Sequence, residues 1–225
     1  MTGPVVIEHD VAVMRDGTRL VADVYRPADN ARHPALVHRT PYGRQRAQVS
    51  YITLDPVQLA RAGFAVIVQD TRGRGDSDGG PFQPFAEGAD GYDTVQWAAA
   101  QPWSDGKVGT YGSSYMGATT LQAAVETPPA LATICAAQAS CDYFEGRSYF
   151  GGAFEYGALV TTSLGAMLQG SLVRARLERE EARATRRDVQ AVLDGLATLP
   201  VPFPLERFLG GRTGLLGRLT PWFFD

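Results

Sequence analysis

The sequence predicts an α/β fold: a mostly parallel sheet with helices on both faces. Three observations carry this expectation. Apolar stretches of strand length alternate with helical stretches through the middle of the chain. Phe64-Ala65-Val66-Ile67-Val68 is an unbroken apolar run, as in a parallel strand covered on both sides. Lys107 to Gly117, Lys-Val-Gly-Thr-Tyr-Gly-Ser-Ser-Tyr-Met-Gly, reads as a strand, a tight turn and the start of a helix.

The elements follow in order. Val5 to Met14 and Arg19 to Tyr25 are β-rich runs around Arg15-Asp16-Gly17-Thr18, and Asp-Gly between such runs predicts an antiparallel hairpin. Pro27 ends the second run, and Ala35 to Arg39 is a third strand closed by Thr40-Pro41-Tyr42-Gly43. Val57 to Ala62 is helical and stops at Gly63, a residue free to take the left-handed conformation that ends helices. After the Phe64–Val68 strand comes an Arg- and Gly-rich loop, Asp70 to Gly80. It lacks the Gly-Lys-Ser/Thr of a phosphate loop and reads as a tight connection at the carboxyl end of a strand. Asp90 to Ala100 is helical, with Val95 and Ala98 on one side. The strand Val108 to Tyr111 leads into the turn, the helix after it runs to Glu126 before Pro128-Pro129, and Leu131 to Ala137 is one more buried strand. Strand–helix–strand–helix–strand after an antiparallel start, with right-handed crossovers, is the α/β-hydrolase pattern.

Composition sets outer bounds. At 225 residues the chain is long enough for one domain, or one domain and part of another. A hydrophobic fraction of 44% with 20% charged residues is ordinary for a globular protein. Net charge of -3 gives no electrostatic basis for nucleic-acid or anionic-membrane partners. The opening residues contain neither a basic nor an apolar leader segment, and no apolar run reaches membrane-spanning length. Cys135 and Cys141, without partners at metal spacing, read as reduced and partly buried thiols, and a cytoplasmic address is expected. No cofactor and no metal are expected.

The turn carries the chemistry. A strand–serine–helix turn holds its hydroxyl in a strained, exposed position and needs small neighbours where strand and helix approach. Gly112 lies two residues before Ser114 and Gly117 three after it, whereas Ser113 would be flanked by Tyr111 and Tyr115. Ser114 is therefore the candidate nucleophile, although Met116 stands where a Gly-x-Ser-x-Gly elbow has glycine. A serine needs a base, and in this fold the histidine follows the nucleophile in sequence. Here His9, His33 and His38 all precede Ser114, and His38 reads best as a packed strand residue. Either the chain is the N-terminal piece of a longer enzyme, or the site lost its base. No convincing strand follows Ala137, and the chain ends on Pro221-Trp222-Phe223-Phe224-Asp225. Both favour the first explanation and leave a sheet with an open edge.

Ser171 to Leu199 reads as one or two helices, with a charged, solvated middle from Glu178 to Asp188 that includes Arg174–Glu178 and Arg176–Glu180 at i,i+4 spacing. Pro200, Pro202 and Pro204 end them.

Taken together, several ordered motifs resemble one family. They are Arg15-Asp16-Gly17-Thr18-Arg19-Leu20 with Asp23-Val24-Tyr25-Arg26-Pro27, Arg39-Thr40-Pro41-Tyr42, and Asp70-Thr71-Arg72-Gly73-Arg74-Gly75 with Ser77 and Gly79. Trp103-Ser104-Asp105-Gly106-Lys107-Val108-Gly109 and Gly112-Ser113-Ser114-Tyr115-Met116-Gly117 complete the set. The chain resembles the N-terminal part of a CocE/NonD-type serine hydrolase, in the superfamily of X-Pro dipeptidyl-peptidases, peptidase family S15. That family's elbow is Gly-x-Ser-Tyr-x-Gly, so Met116 fits it. The resemblance implies that Ser114 is acylated and that the Tyr42 hydroxyl and the Tyr115 backbone N–H form the oxyanion hole. It implies residues 1–141 as the N-terminal part of an α/β-hydrolase domain and 142–225 as the start of a helical cap. The triad acid and histidine would come from sequence after that cap. Expected substrates are small esters, amides or short peptides, with an ester or acyl substrate preferred because Met116 offers no charge to hold an α-amine. The competing expectation is an inactive binding or scaffolding module on a hydrolase fold, motivated by the missing histidine.

Overall fold

The computed structural model describes residues 3–45, 54–79, 87–140, 142, 144–155, 183–184, 187–188 and 190–191. Six strands form one sheet: β1 (Val5–Val13), β2 (Arg19–Pro27), β3 (His33–Thr40), β4 (Ala65–Asp70), β5 (Ser104–Ser113) and β6 (Leu131–Ala137). Their spatial order is β1-β2-β4-β3-β5-β6. β1 and β2 pair antiparallel, with Val5 opposite Pro27, and β2 pairs antiparallel with β4. The β4, β3, β5 and β6 strands run parallel to one another. The Asp-Gly turn closes as expected: Met14 N–H donates to the Thr18 carbonyl at 2.8 Å, and Gly17 adopts φ 85°.

Three helices connect the parallel strands: α1 (Pro56–Arg61), α2 (Gly88–Ala99) and α3 (Tyr115–Val125). Asp55 caps α1 by accepting from Val57 N–H at 2.9 Å, Pro56 occupies its first turn, and Gly63 at φ 97° terminates it. The step from β3 to β4 moves one way across the sheet, and the step from β4 to β5 moves the other way over β3. Right-handed crossovers therefore put α1 on one face and α2 on the opposite one. The contacts agree: α1 packs on β2 and β4, while α2 and α3 pack on each other and on β3 and β5. All six residues of β4 are buried, as its apolar run predicts. The core under α2 joins Ala22, Val24, Ala35, Val37, Ile67 and Val108 to Val95 and Ala98, the two helix positions that share a face.

Two expectations fail at β6. Leu131 to Ala137 is a strand, yet it is not a buried one: from Ala132 to Ala137 every residue is exposed. The strand lies at the sheet's edge: α3 packs against it and β5 pairs with it, and no further strand among the described residues pairs with its outer side. For the same reason Cys135 is an exposed thiol rather than a partly buried one. Beyond it, a small hairpin of β7 (Tyr149–Phe150) and β8 (Ala153–Phe154) stands apart from the main sheet. The sequence showed no strand there, because two-residue strands carry no readable alternation. Of the helices expected over Ser171–Leu199, positions 183–184, 187–188 and 190–191 are described and helical. The Arg174–Glu178 and Arg176–Glu180 pairs, Cys141, Pro200 to Pro204 and the terminal aromatic cluster lie outside the described residues.

Candidate active site

The turn between β5 and α3 has the backbone of a nucleophile elbow. Ser114 sits at φ 57°, ψ -123°, a conformation that costs an ordinary residue on the order of 1–3 kcal/mol. Its surroundings hold it there. The Ser114 N–H donates to the Ala137 carbonyl at the end of β6 (2.9 Å), and its carbonyl accepts from Ala118 N–H at 3.0 Å. The flanking glycines are required by close approach: a Cβ on Gly112 would collide with the Met116 backbone. One on Gly117 would stand 2.9 Å from the Ala137 carbonyl oxygen. The two serines are placed oppositely. Ser114 is exposed, whereas Ser113 is buried with its hydroxyl donating to Gln138 Oε1 at 3.0 Å. Ser114 is thus the hydroxyl offered to solvent at the carboxyl end of the sheet.

Tyr42 lies on the turn after β3, the strand beside β5. Val37 is level with Thr110, and carrying that register three residues on puts Thr40 level with Ser113. Tyr42 and the elbow therefore leave the same end of adjacent strands. The turn is clamped on both sides of the tyrosine. Tyr42 N–H donates to Thr40 Oγ1 at 3.2 Å. Arg44 N–H donates to Asp70 Oδ1, and its guanidinium reaches Asp70, Asp76 and Asp23 at 2.6, 2.7 and 2.8 Å. Burial pushes the Tyr42 phenol above its ordinary range, against the opposing pull of Arg147 and Arg74, so it remains a donor at neutral pH. Tyr115 is the first residue of α3, and N–H groups of a first helical turn point out along the axis, where the helix dipole favours negative charge.

Sequence reasoning missed what lies beneath the elbow. Tyr115 is buried, and its hydroxyl donates to Glu87 Oε1 at 3.1 Å. Glu87, only 3% exposed, pairs through Oε2 with Arg39 Nη2 at 2.9 Å, while Arg39 Nη1 donates to the Glu87 carbonyl at 3.0 Å. Arg39 Nε donates to Gln69 Oε1 at 2.9 Å, which also accepts from Thr94 Oγ1 at 3.0 Å. Burial pushes the Glu87 carboxyl upward, and the Arg39 guanidinium works against that shift. A lone glutamate in Pro84-Phe85-Ala86-Glu87-Gly88 gives no sequence signal of such a partner.

None of the three histidines is placed as the serine's base. His38 is fully buried on β3, with Nδ1 3.2 Å from the Tyr111 carbonyl oxygen and its ring against Tyr111. His9 pairs with Asp23 at 2.7 Å, and His33 contacts Asp29 at 2.8 Å.

The profile of the X-Pro dipeptidyl-peptidase (S15 family) matches residues 16–200. A cocaine esterase from Rhodococcus sp. (strain MB1 Bresler) is 37% identical over 216 residues, which take in 94% of this chain. The chain spans 36% of the length of that relative. A crystal structure of an aminopeptidase from a marine-sediment Thaumarchaeota archaeon superposes with a TM-score of 0.61 at 26% identity, covering 72% of this chain and 30% of that one. A CocE/NonD family hydrolase from Staphylococcus aureus shares the fold, with a TM-score of 0.66 at 20% identity over 82% of this chain and 39% of that one.

Proposed function

This chain belongs to the X-Pro dipeptidyl-peptidase (S15) family as a CocE/NonD-type hydrolase, and from that membership we propose that it carries the nucleophile half of a serine hydrolase. In this reading Ser114 Oγ attacks the carbonyl carbon of an ester or amide. A histidine supplied from outside these residues takes the hydroxyl proton and returns it to the departing alcohol or amine. The Tyr42 hydroxyl and the Tyr115 N–H receive the developing oxyanion, and water then hydrolyses the acyl-enzyme. The supporting observation is the exposed, positive-φ Ser114, locked between two glycines that tolerate no side chain. Residues 142–225 would begin the cap over the site. An ester is the preferred substrate class: Met116 is uncharged, and Glu87, beneath the elbow, is paired with Arg39.

The reading of an inactive binding module draws on the placement of the three histidines. One experiment separates the two. A fluorophosphonate probe applied to the full-length protein is expected to label Ser114, with labelling lost in Ser114→Ala. Tyr42→Phe should retain the fold and slow the reaction roughly 10²–10³-fold, the effect of removing one oxyanion donor. An unlabelled wild type, or labelling that survives Ser114→Ala, would overturn the proposal.

A further inference from the structure

We infer that Glu87 and Arg39 are positioning residues that hold the two arms of the oxyanion site in register. The inference rests on the serine-hydrolase reading above. One arm is the turn after β3, where Arg39 lies three residues before Tyr42. The other is the elbow, where Tyr115 follows Ser114 directly. A single buried carboxylate joins them: Glu87 Oε1 accepts from the Tyr115 hydroxyl at 3.1 Å, and Oε2 accepts from Arg39 Nη2 at 2.9 Å. A second link runs the same way, since Thr119 Oγ1 on α3 reaches the Arg39 carbonyl at 3.4 Å while donating to Met116 at 2.8 Å.

The placement is costly as a mere fastener. Arg39 and Glu87 are each 3% exposed, and taking both charges out of water offsets much of their attraction. Apolar side chains of similar volume could join α2 to the sheet at least as well. What apolar packing could not supply is directional fixing of a hydroxyl whose own backbone N–H must meet an oxyanion within tenths of an ångström. Glu87 also fixes the orientation from its own side: its N–H donates to Gln122 Oε1 on α3 at 3.0 Å. The carboxylate touches no reacting atom, so its effect passes through Tyr115 and through the strand that carries Tyr42.

The test uses the full-length protein and a nitrophenyl ester, with Glu87→Gln, Tyr115→Phe and the double variant. Both substitutions keep the side-chain volume, and a melting curve checks each fold. Each single variant is expected to lower kcat about 3- to 10-fold with KM nearly unchanged, because the lost alignment matters only in the transition state. A phenylboronic acid, whose tetrahedral adduct on the serine fills the oxyanion site, should bind more weakly by a similar factor. The double variant should be no worse than Glu87→Gln alone, since the contact that Tyr115→Phe removes is one of the two that Glu87→Gln already disturbs. Losses that multiply in the double variant, or variants that melt earlier with kcat and boronate affinity intact, would overturn the inference and leave a structural pin. Failure of the wild type to label at Ser114 is a separate outcome, and it would overturn the serine-hydrolase reading itself.

Discussion

Ser114, Tyr42 and His38 are single residues whose surroundings decide opposite fates for polar side chains. Ser114 is pushed outward by a strained turn, and Tyr42 is held on a clamped one. His38 is sealed inside, its Nε2 without a hydrogen-bond partner among the described residues and its pKa pushed down to about 4 by burial. The consequence for stability has a definite sign. Unfolded His38 binds a proton near its ordinary pKa of 6.5, whereas folded His38 resists protonation until about pH 4. Between those values the unfolded state binds more protons, so stability falls as pH falls through this window. The loss is on the order of 3 kcal/mol once both forms are protonated. Urea titrations from pH 7 to pH 4 should show a steeper decline for wild type than for His38→Leu. Carboxylates contribute equally to both proteins, so parallel declines would remove His38 as the cause.

At the scale of elements, the β5–α3 unit depends on how near a strand can bring its helix. Gly112 is at φ below zero in a regular strand, so its need is for space rather than for an unusual backbone. Gly112→Ala should therefore destabilise the protein by about 1–3 kcal/mol, as overpacking does, and reduce fluorophosphonate labelling at Ser114 together with it. Thermal unfolding and labelling read on one sample test this, and an unshifted melting temperature would show that the elbow can open without cost. The same proximity explains which part of the site was readable. Strand, small-residue turn and helix are local patterns, and the alternation and glycine spacing around Ser114 revealed them. The Tyr115–Glu87–Arg39 chain joins residues 28 and 48 positions apart, and no local pattern encodes such a contact.

At the scale of the whole sheet, β6 is the last strand among the described residues, and its exposed residues from Ala132 to Ala137 adjoin the elbow strand. The Ser114 N–H is held by the Ala137 carbonyl, so the elbow leans on this edge strand. With no histidine at the serine, the 225-residue chain alone is expected to hydrolyse no nitrophenyl ester above background. Turnover that disappears in Ser114→Ala would show that a base exists within it.

The sequence alone determined the order and class of the elements from β1 to β6, the double burial of β4, the hairpin turn and the identity of the exposed serine. These follow from apolar periodicity, from glycine's freedom and from clashes between near neighbours, all of which act over a few residues. Only the tertiary structure decided that Leu131–Ala137 is exposed at the sheet's edge among the described residues, that His38 is sealed inside, and that the buried Glu87 carboxylate joins Tyr115 to Arg39. Burial and long-range pairing depend on which elements the fold sets side by side, and that adjacency is a property of the assembled sheet.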